Sequence, residues 1–206
     1  MKDKSTIKVE ILILAAGQSK RMKGQNKLLK NLNGKPLIEY VVSESVKSRA
    51  SVVSIIIQEN NINLQNFLAS FPIKILKAQT DHIGIGHSIS KGIELIEKNK
   101  PEGILILLGD MPDIKSKHLD LMINQFRKNP SNHILRASSE NLKPGNPVLF
   151  PKIYYNLLKE LKGDQGAKIM LNNYVKETKL IKLPKMAALT DLDTQEDFDE
   201  WKAKNL

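Results

Sequence analysis

Three short apolar runs limit the folds that are open to this chain. They cover residues 9–14, 51–57 and 103–108, and the first and last are followed within three residues by a glycine. Runs of this length, rich in β-branched residues, predict strands that are buried on both faces of a parallel sheet. Apolar residues recur at helical spacing between them, most clearly over 37–46 and 87–96. Strands that alternate with helices predict a doubly wound α/β fold with a mostly parallel sheet.

Length and charge indicate one domain that does not bind nucleic acid. A chain of 206 residues predicts a single domain, 1–206, with a core of about 7–200. The net charge is +10, but only four of the 32 basic residues are arginines, and aromatic residues make up 5%. Scattered lysines with few aromatic rings to stack bases favour a solvated surface over a nucleic-acid interface. Because the chain has no cysteine and no apolar stretch of membrane-spanning length, we expect a cytoplasmic protein without membrane contact.

The segment after the first predicted strand is suited to binding phosphate. Residues 14–17, LAAG, are small after the leucine, so a ligand can approach the backbone closely. Arg21 and Lys27 follow them. A guanidinium binds phosphate in a bidentate manner, and an ammonium acts as a point charge. Neither GxxxxGK[ST] nor GxGxxG is present, and the alternative explanation is a basic surface turn.

A carboxylate follows the apolar run 103–108. Asp110 comes directly after Gly109, where that predicted strand ends. Ligands of doubly wound sheets bind outside the carboxyl ends of the strands, which brings Asp110 to the edge where the phosphate-binding segment lies. Mg²⁺ takes one or two carboxylates together with water and substrate phosphates, and Asp110 is suited to that role. The alternative is a turn aspartate that accepts hydrogen bonds from nearby backbone N–H groups.

Four segments together resemble one family. They are LAAGQSKRM at 14–22, GDMP at 109–112, GNPVLF at 145–150 and LKGDQGA at 161–167. Over about 7–200 the chain is similar to the MobA-like nucleotidyltransferases and, within them, to the molybdenum cofactor cytidylyltransferases. The resemblance implies a Rossmann-like nucleotidyltransferase fold. It also implies a Mg²⁺-dependent transfer of CMP from CTP to the phosphate of molybdopterin, with release of pyrophosphate.

The resemblance implies roles for individual residues. The catalytic candidates are Arg21, Lys27 and Asp110, and the metal-ligand candidates are Asp110 and Asp193. Asn146 and Asp164 are candidates for contact with the acceptor, in a predicted strand-helix-turn-helix flap over the open side of the site. The implied nucleotide-binding residues are Leu14, Ala15, Ala16, Gly17, Arg21, Lys27, Gly84 and Ser88.

Three of these residues have an alternative explanation as helix caps. Ser88, Asp164 and Asp193 each lie near the start of a predicted helix, where a side-chain oxygen accepts from unpaired backbone N–H groups. For the last helix, Thr194 is an equally suitable cap. The chain also departs from the family at Lys23, where the usual residue is glycine. Lys23 is strained if that position requires a positive φ, and otherwise it adds charge beside a triphosphate.

Two other functions fit the same motifs. The fold could transfer a nucleotide to another phosphorylated acceptor, such as methylerythritol phosphate or a sugar phosphate. The chain could also be a non-catalytic carrier that delivers molybdenum cofactor to a molybdenum hydroxylase. The presence of Arg21, Lys27 and Asp110 favours an enzyme, because a carrier does not need these groups. We therefore expect CTP and a molybdopterin-type acceptor as partners, with a molybdenum hydroxylase as a possible client.

Overall fold

The computed structural model describes residues 7–17, 26–79, 84–128 and 132–205. Its strands are β1 (Val9–Leu14), β2 (Asn31–Leu32), β3 (Lys35–Pro36), β4 (Val52–Gln58), β5 (Lys74–Ala78), β6 (Gly103–Leu108), β7 (Ile134–Ser138), β8 (Pro144–Pro151) and β9 (Thr178–Lys182). Its α-helices are α1 (Leu37–Val46), α2 (Ile62–Leu68), α3 (Ile85–Ile96), α4 (Ser116–Lys128), α5 (Tyr155–Lys159), α6 (Gly166–Asn173) and α7 (Gln195–Lys204). None of these helices is long and apolar enough to cross a membrane.

Seven strands form one sheet in the order β5-β4-β1-β6-β8-β7-β9. Strand β1 is parallel to both neighbours, with Leu12 opposite Ser54 of β4 and Ile106 of β6. The pairs β4–β5 and β7–β9 are also parallel, whereas β8 runs antiparallel to β6 and β7. The predicted doubly wound, mostly parallel α/β sheet is confirmed.

Apolar side chains cover the sheet on both faces, as the continuously apolar strands predict. Along β1, Ile11 and Ile13 pack on the side where α1, α2, α4 and α7 lie, which we call the α1 side. Leu12 and Leu14 pack on the opposite side with α3, α5 and α6, which we call the α3 side. The alternation follows from the two-residue period of a strand. Because the described helices cover both faces, we look for a ligand site at the carboxyl ends of the parallel strands.

The flap predicted between 148 and 171 is in part a core element. Residues 148–150 belong to the eight-residue strand β8, which lies inside the sheet between β6 and β7. Phe150 is fully buried. Helices α5 and α6 then pack on the α3 side of the sheet, against α3. The segment therefore forms one wall of the fold as well as approaching the carboxyl ends of the parallel strands.

Candidate active site

Three residues from distant parts of the chain meet at the carboxyl end of β6. The Lys27 ammonium donates to Oδ2 of Asp110 at 2.6 Å and to Oδ1 of Asp193 at 2.5 Å. The side chains of Lys27 and Asp110 are 13% and 15% exposed, and that of Asp193 is 37% exposed. The structure thus brings together the predicted catalytic lysine and the two predicted metal ligands. Their roles remain predictions, but their proximity is a property of the fold.

A short 3₁₀ turn, Lys27–Leu29, directs the Lys27 side chain inward. The Asn26 side chain accepts from the Leu28 N–H at 3.2 Å and caps this turn. The same side chain donates to Oδ1 of Asn61 at 3.2 Å, which connects the turn to the start of α2. Leu28 is buried in the core on the α1 side. A buried neighbour and a capped turn fix the chain direction, so the ammonium is held at the site. Sequence reasoning did not identify Asn26.

Asp110 is held by backbone contacts on both sides. Gly109 donates its N–H to the Leu14 carbonyl at 3.0 Å, which joins the end of β6 to the end of β1. The Asp110 carbonyl accepts from the Leu192 N–H at 3.1 Å, which joins it to the C-terminal segment. The indole of Trp201 donates to Oδ1 of Asp113 at 2.8 Å and anchors α7 on the same turn. These contacts explain how residues near 110 and 193 come together.

Thr194 and Asp197 form the cap of α7. The Thr194 side chain accepts from the Asp197 N–H, and the Asp197 carboxylate accepts from the Thr194 N–H at 2.7 Å. Asp197 also accepts from the Asp193 N–H at 3.0 Å. Of the two candidate caps, Thr194 is therefore the one the helix uses. The Asp193 side chain is directed to Lys27 instead, where it can serve the site.

Among the residues that the structure describes, the site carries more negative than positive charge. Burial lowers the pKa of Lys27, but Asp110 and Asp193 outweigh that effect and hold it above the usual value. Asp191 adds a third carboxylate, and partial burial together with repulsion from Asp110 and Asp193 raises its pKa. Among the described residues, Oδ1 of Asp110 is buried without a hydrogen-bond partner. A buried carboxylate oxygen without a donor is costly unless a ligand satisfies it.

These features fit a hard divalent cation. Asp110 and Asp193 offer the carboxylate oxygens that Mg²⁺ prefers, and Oδ1 of Asp110 is the oxygen left for it. In the part of the chain that the structure describes, no group of three or more His, Cys, Asp or Glu side chains could hold a metal ion. A cation here would take its remaining ligands from water and from phosphates of a substrate, which is typical of Mg²⁺.

The phosphate-binding segment begins beside this cluster. Ala15 donates its N–H to the Ile56 carbonyl at 2.9 Å, which continues the sheet one residue beyond β1. Ala16 is partly exposed and Gly17 is exposed, and a Cβ added to Gly17 would meet no atom of the described residues within 4 Å. The backbone is therefore open to a ligand at this point. The predicted contacts of Arg21 and the question about Lys23 fall in 18–25, outside the described residues.

The two glycines at the start of α3, Gly84 and Gly86, face other protein atoms rather than open space. Gly84 has φ +116°, and a Cβ there would lie 2.3 Å from the carbonyl carbon of Gly163. A Cβ on Gly86 would lie 2.8 Å from the carbonyl oxygen of Lys162. The absence of side chains thus allows the turn at 162–164 to pack on the start of α3. Ser88 is 6% exposed and its hydroxyl is 3.3 Å from the Gly84 carbonyl. Nucleotide contact by Gly84 and Ser88 stays a prediction.

The two acceptor candidates lie on different elements. Asn146 is partly exposed near the start of β8, and its N–H donates to the Ala188 carbonyl at 2.9 Å. Asp164 is exposed in the 3₁₀ turn Gly163–Gln165, which packs on α3. Within the described residues, neither side chain has a hydrogen bond to the cluster of Lys27, Asp110 and Asp193, and acceptor contact by Asn146 and Asp164 stays a prediction. Sequence reasoning did not identify Arg136, a charged residue inside the strand β7 whose Nε donates to the Gly145 carbonyl at 3.0 Å.

Comparisons with known proteins agree with the observed fold and identify the family. The Bacillus subtilis (strain 168) purine catabolism protein PucB is 28% identical over 196 residues, covering 91% of this chain and 93% of that protein. Rv0371c from Mycobacterium tuberculosis H37Rv has a TM-score of 0.83 at 16% identity, covering 95% of this chain and 98% of that one, and it has also been solved with manganese. CMP:2-keto-3-deoxy-manno-octonic acid synthetase, complexed with CTP, has a TM-score of 0.78 at 15% identity, covering 96% and 98%. A family model described as the MobA-like NTP transferase domain matches residues 11–178. The chain therefore belongs to the MobA-like NTP transferase family.

Proposed function

We propose that this protein is a Mg²⁺-dependent cytidylyltransferase. It transfers CMP from CTP to the phosphate of a molybdopterin-type acceptor and releases pyrophosphate. The observation that carries the proposal is the cluster of Lys27, Asp110 and Asp193 at the carboxyl ends of β1 and β6. This is the edge where doubly wound sheets bind their ligands. A lysine and two carboxylates in a partly buried site are groups that recur in phosphoryl-transfer enzymes, where they bind phosphates and metal ions.

Each residue of the cluster has a task in this reaction. Asp110 and Asp193 would hold the cation, which when bound supplies positive charge to the reacting phosphates. Lys27 would contact the triphosphate and stabilise the charge that develops on the departing pyrophosphate. Arg21 would add a bidentate contact to the same phosphates. The acceptor attacks with a phosphate oxygen that is already ionised, so no strong general base is needed. The main contributions are orientation and charge neutralisation.

Two findings support cytidine as the base and a divalent cation as the cofactor. The fold resembles a synthetase whose structure holds CTP, and Rv0371c, which shares the fold, has been solved with manganese. The LAAG form of residues 14–17 resembles the cytidylyl branch of the family, whereas LAGG is typical of the guanylyl branch. The choice of acceptor rests on GNPVLF and LKGDQGA, at 145–150 and 161–167. Methylerythritol phosphate and sugar phosphates are the rival acceptors.

The test is pyrophosphate release from CTP, GTP and ATP with each class of acceptor. We expect release with CTP, Mg²⁺ and molybdopterin-type cofactor, and a preference for CTP over GTP of at least about 10-fold in kcat/KM, or roughly 1.4 kcal/mol. Equal use of GTP would contradict the cytidylyl assignment. Turnover with a sugar phosphate but not with molybdopterin-type cofactor would show that the acceptor is a sugar phosphate. A protein that binds cofactor without releasing pyrophosphate from any nucleotide would be a carrier.

Asp110→Asn is the control for this assay. The substitution keeps the shape of the side chain and removes the charge that would hold the cation. Release that continues at the wild-type rate in this variant would come from another protein in the preparation or from another site. Release that stops in the variant assigns the activity to the cluster.

A further inference from the structure

Arg136 is a charged residue between apolar neighbours inside a strand of the sheet. It is the middle residue of β7, between the buried residues Leu135 and Ala137. Leu135 and Ala137 pack on the α1 side of the sheet, and Ile134 packs on the α3 side. Because side chains alternate along a strand, Arg136 shares the α3 side with Ile134. Its neighbour across the strand pair is Val148 of β8, which packs on the same side.

Arg136 is a half-buried cation without a carboxylate partner. Its Nε donates to the Gly145 carbonyl at 3.0 Å, and no ion pair joins Arg136 to an acidic side chain among the residues that the structure describes. Burial lowers its pKa, with no nearby carboxylate to oppose the effect. A guanidinium stays charged in proteins and has five N–H donors, of which the Gly145 carbonyl takes one. The remaining donors can bind an anion.

Gly145, whose carbonyl accepts from Arg136, lies at the same end of the sheet as the candidate active site. Strand β8 pairs with β6, with Val148 opposite Ile106, and runs antiparallel to it. Gly145 is three residues from Val148 and Asp110 is four residues from Ile106, in the same direction along the sheet. At about 3.3 Å per residue and about 4.8 Å between strands, the Arg136 guanidinium lies on the order of 10 Å from Asp110. An acceptor that reacts at Asp110 can span that distance.

We propose that Arg136 binds the phosphomonoester of the acceptor and orients it toward the α-phosphorus of CTP. The inference rests on the proposed function and assigns a binding residue to the acceptor side of the same site. A planar guanidinium with free N–H donors matches two oxygens of a phosphate, which a neutral side chain cannot do. The contact with Gly145 fixes the guanidinium next to Asn146, which is the residue that the sequence indicated for acceptor contact.

The test measures phosphate binding to protein that is already saturated with nucleotide. The protein is first loaded with Mg²⁺ and α,β-methylene-CTP, which cannot react, and is then titrated with inorganic phosphate by calorimetry. We expect Arg136→Gln to weaken phosphate binding by at least about 10-fold. Arg136→Lys should weaken it less, because lysine keeps the positive charge but lacks the two parallel N–H donors of a guanidinium. Lys179→Gln removes one charge from an exposed residue of the next strand, and this control should bind phosphate like the wild type.

A kinetic measurement separates this role from a structural one. With the cofactor acceptor, Arg136→Gln should raise the KM for the acceptor by at least about 10-fold while the KM for CTP stays within about 2-fold. Equal phosphate affinity and equal acceptor KM in wild type, Arg136→Gln and Arg136→Lys would overturn the proposal, even if the variants unfold at lower temperature. Failure of Mg²⁺ and CTP to raise the melting temperature of the wild type would instead overturn the proposed function, and the inference with it.

Discussion

Removing the Lys27 ammonium should destabilise the protein even without substrate. Lys27→Met keeps the length of the side chain but leaves Asp110 and Asp193 facing each other. Carboxylates that share one ammonium at 2.5–2.6 Å lie within about 5 Å, where their repulsion is about 3 kcal/mol at an effective dielectric constant of 20. Asp193 is 37% exposed, and solvent screens part of this energy. We therefore expect a loss of about 2–3 kcal/mol in the free energy of unfolding, or roughly 4–12 °C in Tm.

Thermal unfolding without ligands, with and without Mg²⁺ or Mn²⁺, checks this expectation. A divalent cation should stabilise Lys27→Met more than it stabilises the wild type, because the variant lacks the ammonium that neutralises the two carboxylates. Lys35→Met is the matched control, since Lys35 is 59% exposed and its ion pair with Glu39 is worth well under about 1 kcal/mol. A Lys27→Met protein with wild-type Tm and no added response to metal would refute the reasoning.

The stability that Lys27→Met loses should depend on pH in one direction. The pKa of Lys27 is raised above 10.5 in the folded protein. The stability that the ammonium contributes is therefore fully present below that value and is lost as the pH rises through the folded pKa. The difference in stability between wild type and Lys27→Met should be constant between about pH 7 and 9. In activity, the substitution should cost about 2–4 kcal/mol in kcat/KM, as expected for one preorganised charge.

Three further substitutions test other parts of the account. Asp110→Asn should lower turnover at least about 100-fold in the pyrophosphate assay, because it removes the charge that would hold the cation. Gly145→Ala should lower the free energy of unfolding by about 1–3 kcal/mol in urea titrations, since the new Cβ would lie 1.9 Å from the Ala188 carbonyl oxygen; unchanged stability would mean that this contact relaxes freely. Burial, followed by Lys117 and Lys115, lowers the pKa of His118, so stability should fall as the pH drops below about 6.5. His118→Asn should lose less stability between pH 7.5 and 5 than the wild type does, and an identical loss would assign the acid sensitivity to other groups.

The sequence predicted the sheet best where strands are buried on both faces. β1 and β6 match the predicted apolar runs, because a strand covered on both sides is apolar at most of its positions. The sequence did not reveal β9, whose residues Thr178–Lys182 are partly or fully exposed and include two lysines. This strand forms because β7 offers a free edge beside it, and pairing with a distant strand leaves no local signal.

The proximity of the predicted site residues could be inferred from the order of the strands. Lys27 and Asp110 follow strands whose ends must meet at one edge, so their proximity follows from the order of elements. For Asp193, the sequence allowed two roles, and the hydrogen bonds between Thr194 and Asp197 show only that Thr194, not Asp193, caps the helix. Arg136 gave only a weak signal, one charge within an apolar run, because its significance depends on which groups surround it.

The contact between Lys27 and Asp193 joins residues that are 166 positions apart. Closing so long a loop is slow, and during synthesis the sheet can assemble before the C-terminal helix is available. The nascent chain would therefore complete the candidate site only after the sheet has formed. In the finished protein, α7 is anchored chiefly by Phe198 and Trp201, so it could detach as a local unfolding unit while the seven strands persist. The rate of amide hydrogen exchange in α7 would then measure how often this helix detaches from the candidate site. Bound nucleotide should slow exchange in α7 more than it slows exchange in the central strands.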